Sequence, residues 1–205
     1  KKLEEFGVDK IEHGLAKNGV IALINGKNKG PSIGLRADMD ALPIMEVNKL
    51  TYKSKNEGSM HACGHDGHTA MLLGAAKYLS QTRNFSGTVV LIFQPAEEGH
   101  GGAKVMLDEG LFDKHNVNEV YAIHNMPGIE KGKFAINEGP MMAAADTFFI
   151  TIKGRGAHGA YPHEGVDPIL IATQVIQNLY SIISREIPSR KNVVMSVTQI
   201  NAGTA

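Results

Sequence analysis

The apolar run from Val89 to Phe93 constrains the fold of this chain more than any other feature. It reads Val-Val-Leu-Ile-Phe without a polar residue, and such a run is typical of a strand that is buried on both faces of a sheet. Other predicted elements alternate with it along the chain: strands at residues 20–24 and 32–36, a second buried strand at residues 120–123, and helices at residues 1–6, 69–79 and 102–109. This alternation favours an α/β fold with a mixed, mostly parallel sheet and flanking helices.

The pattern changes after about residue 140. Residues 147–153 alternate threonine with apolar side chains, as in a half-buried strand, and residues 168–185 have the apolar periodicity of a long helix. A last strand is expected at residues 193–200. We therefore predict two domains: residues 1–142, which hold the candidate site described below, and residues 143–205, which form part of a smaller α+β domain.

Composition excludes several classes of protein. The 21 basic residues balance the 21 acidic ones, so nothing indicates binding to nucleic acid or to an anionic membrane. A single cysteine excludes an intrachain disulfide framework, and no apolar run reaches the ~18 residues of a membrane-spanning helix. Because the first residues have a charged helical pattern rather than that of a signal peptide, we expect a cytoplasmic protein.

The segment Met60–His68 contains the only cysteine and three of the nine histidines. Cys63 and His65 are two residues apart, so both side chains point to one side if the backbone there is extended, which suits two ligands of one metal. Asp66 is predicted to be the N-cap of the following helix. The alternative is a buried cysteine in a turn of small residues with histidines at the surface.

Polar side chains follow three of the predicted strands at the point where each strand ends. These are Asp38 and Asp40, Glu97 and Glu98, and His124. In open α/β sheets this edge is where binding sites form. Together with Cys63 and His65 these residues offer thiolate, imidazole and carboxylate groups, a set that suits zinc, manganese or a similar divalent ion.

The adjacent pair Glu97 and Glu98 suggests a division of roles. Adjacent side chains on an extended segment diverge, so one carboxylate could bind a metal while the other takes a proton from water, as metal-assisted hydrolysis requires. The alternative is a solvated acidic turn. Asp38 and Asp40 could be metal ligands, could orient a ligand histidine, or could be ordinary turn residues.

Taken together, these motifs resemble the aminoacylase-like metallopeptidases, in particular the branch of hippurate hydrolases and indoleacetyl-amino-acid hydrolases. The matching segments are residues 34–43, 60–68, 94–99, 122–127, 153–158 and 162–163. They occur in the family's order and cover most of the chain. The resemblance implies a metal-dependent amidohydrolase that cleaves small N-acyl amino acids, such as hippurate or N-acetyl amino acids.

The resemblance also implies roles for individual residues. Two divalent ions (zinc, manganese, nickel or cobalt) would bind at Cys63, which bridges them, and at His65, Glu98 and His124. Glu97 would be the general base and proton shuttle, and Asp40 would orient the site. Family members often have a histidine near the position of Asp38, so the resemblance does not make Asp38 a ligand. His158 would polarise the scissile carbonyl in a partner subunit, because the second domain resembles a lid through which the family forms homodimers.

Members of that family extend well beyond the length of this chain. We therefore expect this chain to lack the rest of the lid and one ligand histidine, and to have little or no activity alone. Two other readings stay open: a cysteine-nucleophile amidase that uses Cys63, and a non-catalytic fragment that binds metal or dimerises. Five histidines have no assigned role and are expected to be mostly structural or exposed: His61, His68, His100, His115 and His163.

Overall fold

The computed structural model describes residues 1–203. The chain folds into two compact units, Lys1–Ala135 and Ile136–Ala205. The first unit contains a five-stranded sheet and four helices. This arrangement confirms the α/β class and the mixed sheet. The functional boundary that the sequence suggests after residue 142 stays a prediction.

The sheet is built from strands in the order β1-β2-β4-β3-β5. The strands are β1 (Lys10–His13), β2 (Val20–Asn25), β3 (Asn28–Asp38), β4 (Ser86–Gln94) and β5 (Glu119–Ala122). β3 pairs in parallel with β4 and with β5, whereas β1 with β2 and β2 with β4 pair in antiparallel fashion. The carboxyl ends of β3, β4 and β5 therefore lie at one edge of the sheet.

Alternate residues of the central strands pack on opposite faces of the sheet. Ile24 and Leu91 belong to one buried cluster, and Ile21 and Val90 belong to the other. Both faces of β4 are covered, which confirms the prediction from its continuous apolar sequence. β5 was expected to be buried, and this expectation is wrong. Val120 and Tyr121 are 44% and 54% exposed, because β5 has a single neighbour and forms an edge of the sheet.

Four helices accompany the sheet: α1 (Lys2–Phe6), α2 (His65–Thr82), α3 (Gly102–Asp108) and α4 (Leu111–His115). α1 ends at Gly7, whose backbone is in the left-handed conformation. Asp66 is not the N-cap of α2. That position is occupied by Gly64, with φ of 93°, and Asp66 lies within the first turn, where its carboxylate complements the helix dipole instead. The early start places His65 at the first position of the helix.

The second unit contains a short 3-10 turn (Pro162–Glu164) and the helix α5 (Pro168–Arg185). α5 spans the predicted range, and the carboxylate of Asp167 caps it by accepting hydrogen bonds from the backbone N–H groups of Ile169 and Leu170 at 2.8 and 3.1 Å. The strands predicted at residues 147–153 and 193–200 do not form. A strand requires a partner for its backbone groups, and residues 136–203 supply only the single bridge between Arg155 and Val166. None of the helices in the described part of the chain has the length and apolar character needed to cross a membrane.

Candidate metal centre

The candidate site lies where the three parallel strands end. Asp38 at the end of β3 is paired with Gln94 at the end of β4, and Arg36 is paired with Ala122 at the end of β5. The chain segments that follow these strands carry the polar side chains singled out in the sequence. The loop before α2 brings Cys63 and His65 to the same edge. Residues from four distant segments therefore meet in one place.

His65 is at the centre of this group, with 1% of its surface exposed. Its Nδ1 lies 3.0 Å from the backbone oxygen of Asp40, so Nδ1–H donates there and Nε2 keeps a free lone pair. Nε2 is buried and has no hydrogen-bond partner. It lies 3.8 Å from Oε1 of Glu98 and 4.0 Å from Oε2 of Glu97. A buried ring nitrogen without a partner, surrounded by carboxylates, is the arrangement expected of a metal ligand.

His124 repeats this arrangement on the other side of the site. Its Nδ1 lies 2.6 Å from the backbone oxygen of Asn125, and its Nε2 lies 3.5 Å from Sγ of Cys63. The hydrogen bond to a backbone oxygen again fixes the tautomer that leaves Nε2 free. Histidines that bind metals commonly donate their other N–H in this way.

Two sets of three ligand atoms are compact enough to bind a cation. Cys63, His65 and His124 form one set, and His65, Glu97 and Glu98 form the other, with the ligand atoms of each set within 4.8 Å of one another. His65 belongs to both sets, so two cation positions would be neighbours. The thiolate, imidazole and carboxylate donors fit divalent zinc, manganese, nickel or cobalt.

A third compact set, formed by Asp38, His65 and His68, is better explained as an ion-paired network. Oδ2 of Asp38 is 2.9 Å from Nη1 of Arg36, and Oδ1 is 2.6 Å from Nδ1 of His68. Both carboxylate oxygens therefore already have partners, and the neighbouring guanidinium disfavours a cation. Burial raises the pKa of Asp38, but the hydrogen bond from His68 and the charge of Arg36 outweigh it and lower the pKa overall.

Asp40 connects the β3 segment to the glutamate pair. Its Oδ2 accepts a hydrogen bond of 3.0 Å from the backbone N–H of Glu98, and its backbone oxygen accepts from His65. Burial raises the pKa of Asp40, but backbone hydrogen bonds, first from Glu98 and then from Glu97, lower it overall. Asp40 is thus an anion that can hold His65 and the Glu98 backbone in place.

The electrostatics around Cys63 disfavour a free thiolate. Burial, a hydrogen bond with Glu98 and the charges of Glu98, Glu97 and Asp38 all raise the pKa of the thiol. A nucleophilic cysteine needs the opposite environment, with neighbouring positive charge. Among the described residues the surroundings therefore argue against the cysteine-nucleophile reading and suit a thiolate that forms when a divalent cation binds.

His68 is the residue that sequence reasoning missed. It is buried, and it contacts Asp38 and Asn125 rather than solvent. The available signal was its spacing, since residues three apart on a helix share a face and His65 is the first residue of α2. His115 is also nearly covered, with Nε2 3.4 Å from Oε2 of Glu12.

The other unassigned histidines, His61, His100 and His163, are exposed. His158 belongs to the second unit and is exposed as well. Its Nδ1 accepts a hydrogen bond of 3.2 Å from the backbone N–H of Ala160, and its ring lies 5.3 Å from the ring of Tyr161. The role of His158 in a partner subunit stays a prediction.

Known proteins are similar to this chain in sequence. The chain is 49% identical to a hippurate hydrolase of Campylobacter jejuni over 205 residues, which cover 100% of the chain and 53% of the relative. It is 50% identical to an N-acyl-L-amino acid amidohydrolase of Geobacillus stearothermophilus, over 92% of the chain and 51% of the relative. The chain thus spans about half the length of these curated relatives.

A solved structure shows a similar fold. The crystal structure of the Bacillus subtilis YXEP protein, described as a dinuclear metal-binding peptidase, superposes with a TM-score of 0.63 at 45% identity, over 68% of this chain and 39% of that one. The sequence profile of "Peptidase family M20/M25/M40" matches residues 34–204. These residues include every candidate ligand described above, and the chain is a member of the M20/M25/M40 peptidase family.

Proposed function

We propose that the protein is a metal-dependent amidohydrolase that cleaves the amide bond of N-acyl amino acids, with two divalent cations at the site. The observation that carries this proposal is the pair of imidazole Nε2 atoms that lie beside other candidate ligands. Nε2 of His65 and Nε2 of His124 each lie beside an acidic or thiol ligand, while each Nδ1 is occupied by a backbone oxygen. The names of the two curated relatives support the N-acyl amino acid as the substrate class.

Four residues would bind the cations: Cys63, His65, Glu98 and His124. Cys63 would contribute its thiolate, because its Sγ lies 3.5 Å from Nε2 of His124 and belongs to one ligand set with His65 and His124. The solved YXEP structure, described as dinuclear, supports two cations rather than one. Asp40 would keep His65 and Glu98 in position through its hydrogen bonds with both residues.

Bound divalent cations acidify water and polarise the carbonyl oxygen of the substrate. The chain's own contribution to the reaction would come from Glu97. Its side chain is more exposed than that of Glu98, at 43% against 28%, so it faces the space that a substrate would enter. Glu97 would take a proton from the attacking water and pass it to the departing amine nitrogen, which allows the amide C–N bond to break.

The second unit, assigned to residues 143–205, would act as a lid and dimerisation domain. α5 exposes several large apolar side chains, among them Ile169, Leu170, Tyr180 and Ile182, and apolar surface of this kind is typical of a surface that pairs with another protein. In a homodimer formed there, His158 would stabilise the developing oxyanion at the partner's site. The single cysteine supports a cytoplasmic location.

The test uses the full-length protein purified without added metal. Elemental analysis should find about two divalent ions per chain, as proposed above. Hydrolysis of hippurate and of N-acetyl amino acids should disappear after chelation and return when zinc, manganese, nickel or cobalt is restored. Turnover that survives complete removal of metal but is abolished by thiol alkylation would refute the proposal in favour of a cysteine nucleophile. Metal without turnover would indicate a binding role.

A further inference from the structure

The ligand His124 lies on an exposed segment directly after the edge strand β5, where little packing restrains it. We propose that His68 and Asn125 are positioning residues that hold His124 against Cys63. The inference rests on the proposed function, since it assigns a role to residues that support one of the proposed ligands. Neither residue is itself among the proposed ligands.

A continuous chain of hydrogen bonds reaches this segment from the interior of the sheet. Nε of Arg36 donates to the side-chain oxygen of Gln94 at 2.8 Å, and Nη1 of Arg36 contacts Asp38 at 2.9 Å. Asp38 in turn lies 2.6 Å from Nδ1 of His68. The chain thus joins the carboxyl ends of β4 and β3 to the first turn of α2. Buried networks in which every member has a partner define a single geometry.

The last link joins α2 to the segment after β5. Nε2 of His68 lies 3.0 Å from the backbone nitrogen of Asn125 and 2.6 Å from its side-chain Oδ1. The residue directly after His124 is therefore fixed to a buried helical histidine through both its backbone and its side chain.

Asn125 also determines how closely the segment that contains Cys63 can approach His124. A Cβ atom placed on Gly64 would lie 2.3 Å from Oδ1 of Asn125, so the backbone at Gly64 rests directly on this amide. Gly64 follows Cys63, and Asn125 follows His124. The contact between Gly64 and Asn125 is thus immediately beside the 3.5 Å approach of Cys63 Sγ to His124 Nε2, and it fixes the spacing of the two ligands.

The test compares variants of the full-length protein loaded with cobalt(II), whose electronic spectrum reports its ligands. His68→Leu removes both ring nitrogens, and Asn125→Ala removes the amide that packs on Gly64. Each should weaken the binding of one of the two cations by ~10- to 100-fold and reduce the thiolate-to-cobalt absorption band. His68→Gln keeps an acceptor within reach of the Asn125 N–H and should restore much of that band.

Leu79→Ala serves as the control for stability, because Leu79 packs against the core from the same helix, three turns beyond His68. It should lower the unfolding temperature and leave the cobalt spectrum unchanged. Loss of cation binding in proportion to the fall in unfolding temperature across all the variants would overturn the inference. A wild-type cation affinity and a wild-type cobalt spectrum in both His68→Leu and Asn125→Ala would also overturn the inference. The proposed function would still stand in that case. Should His68→Leu fail to fold, Asn125→Ala gives the same comparison.

A wild-type protein that binds no cation would refute the proposed function itself, and the positioning role with it. That failure appears in the unmodified protein, whereas failure of the inference alone appears only in the variants. The two are therefore distinguished within one set of titrations.

Discussion

Cys63 and His124 are separated by 61 positions in the sequence, yet Sγ of one lies 3.5 Å from Nε2 of the other. No local turn accounts for this approach. It follows from the parallel pairing of β3 with β5, which brings the segment after β5 to the edge where α2 begins. The two donors, a soft sulfur and an imidazole nitrogen, then meet at a distance that one divalent cation can bridge.

Replacement by glutamine should have different effects at Glu97 and at Glu98. Glu97→Gln removes the proposed proton acceptor and should lower kcat by ~10²- to 10⁴-fold while the metal content stays unchanged. Glu98→Gln weakens a proposed ligand and should lower metal affinity first. Steady-state kinetics together with elemental analysis of both variants makes the comparison, and each variant is the control for the other. The reverse pattern would exchange the two assignments.

The thiol of Cys63 should react slowly with alkylating reagents in metal-free protein. Burial and the acidic residues around it, with Glu98 foremost, raise its pKa above the ordinary value of 9.0. The rate of reaction with iodoacetamide increases as the thiol loses its proton. This increase should therefore occur at a higher pH than it does for a free thiol in a short peptide. Bound zinc should block the reaction, because the sulfur is then a ligand. Fast alkylation at neutral pH in metal-free protein would contradict this account of the site.

Gly64→Ala and Gly67→Ala should have opposite effects although the two positions are three residues apart. Gly64 has a left-handed backbone, with φ of +93°, and its Cβ would meet the Asn125 amide at 2.3 Å, so alanine there should cost at least ~1–3 kcal/mol and weaken metal binding. Gly67 lies inside α2 with open space around its Cβ position. Alanine there should stabilise the helix by about 0.5–1 kcal/mol. Thermal unfolding of the two variants tests the contrast, and equal effects would refute it.

Asp9 should contribute to stability at neutral pH and not in strong acid. Burial raises its pKa, but hydrogen bonds from Arg83, at 2.7 and 2.9 Å, and from the backbone N–H of Asn25, at 2.7 Å, lower the pKa overall below 3.8. A carboxyl group whose pKa falls on folding stabilises the folded state above its unfolded pKa and loses this effect as pH falls through the folded pKa. Since Asp9 and Arg83 are about one-third exposed, Asp9→Asn should cost only ~1–2 kcal/mol at pH 7.

Urea unfolding at pH 7 and at pH 3 checks the Asp9 prediction, and the difference between wild type and Asp9→Asn should shrink at the lower pH. Asp108→Asn is the matched control. Asp108 makes a single exposed ion pair with Lys104, and such pairs contribute ~0.5 kcal/mol or less. If the loss of unfolding free energy caused by Asp9→Asn grew as the pH fell, the carboxylate of Asp9 would not stabilise the folded state as described.

The apolar pattern predicted those parts of the fold that depend on local sequence. β4 has no polar residue between Val89 and Phe93, and residues 168–185 have the apolar stripe of a helix, so β4 and α5 were both located from the sequence alone. The position of polar residues after β3, β4 and β5 also predicted that they would converge, because parallel strands end at a common edge.

Features that depend on distant partners could not be predicted in this way. Residues 147–153 have the alternation of a strand, but no neighbouring strand pairs with them in the described chain. The exposure of β5 depends on its place in the strand order rather than on its own apolar residues. The burial of His68 depends on Asp38 and Asn125, which lie 30 and 57 positions away. Contacts between residues so far apart cannot be predicted from a single sequence.

The placement of β3 between β4 and β5 links cation binding to the folding equilibrium of the first unit. The donors that follow β4 and β5, together with Cys63 and His65 at the start of α2, must be assembled before a cation binds tightly, so the unfolded chain lacks the site. A cation at 100 times its dissociation constant would then stabilise the native state by about 2.7 kcal/mol. The supply of divalent ions in the protein's surroundings would then affect its resistance to heat and proteolysis as well as the proposed catalysis, and a chelator would act on it as a mild denaturant.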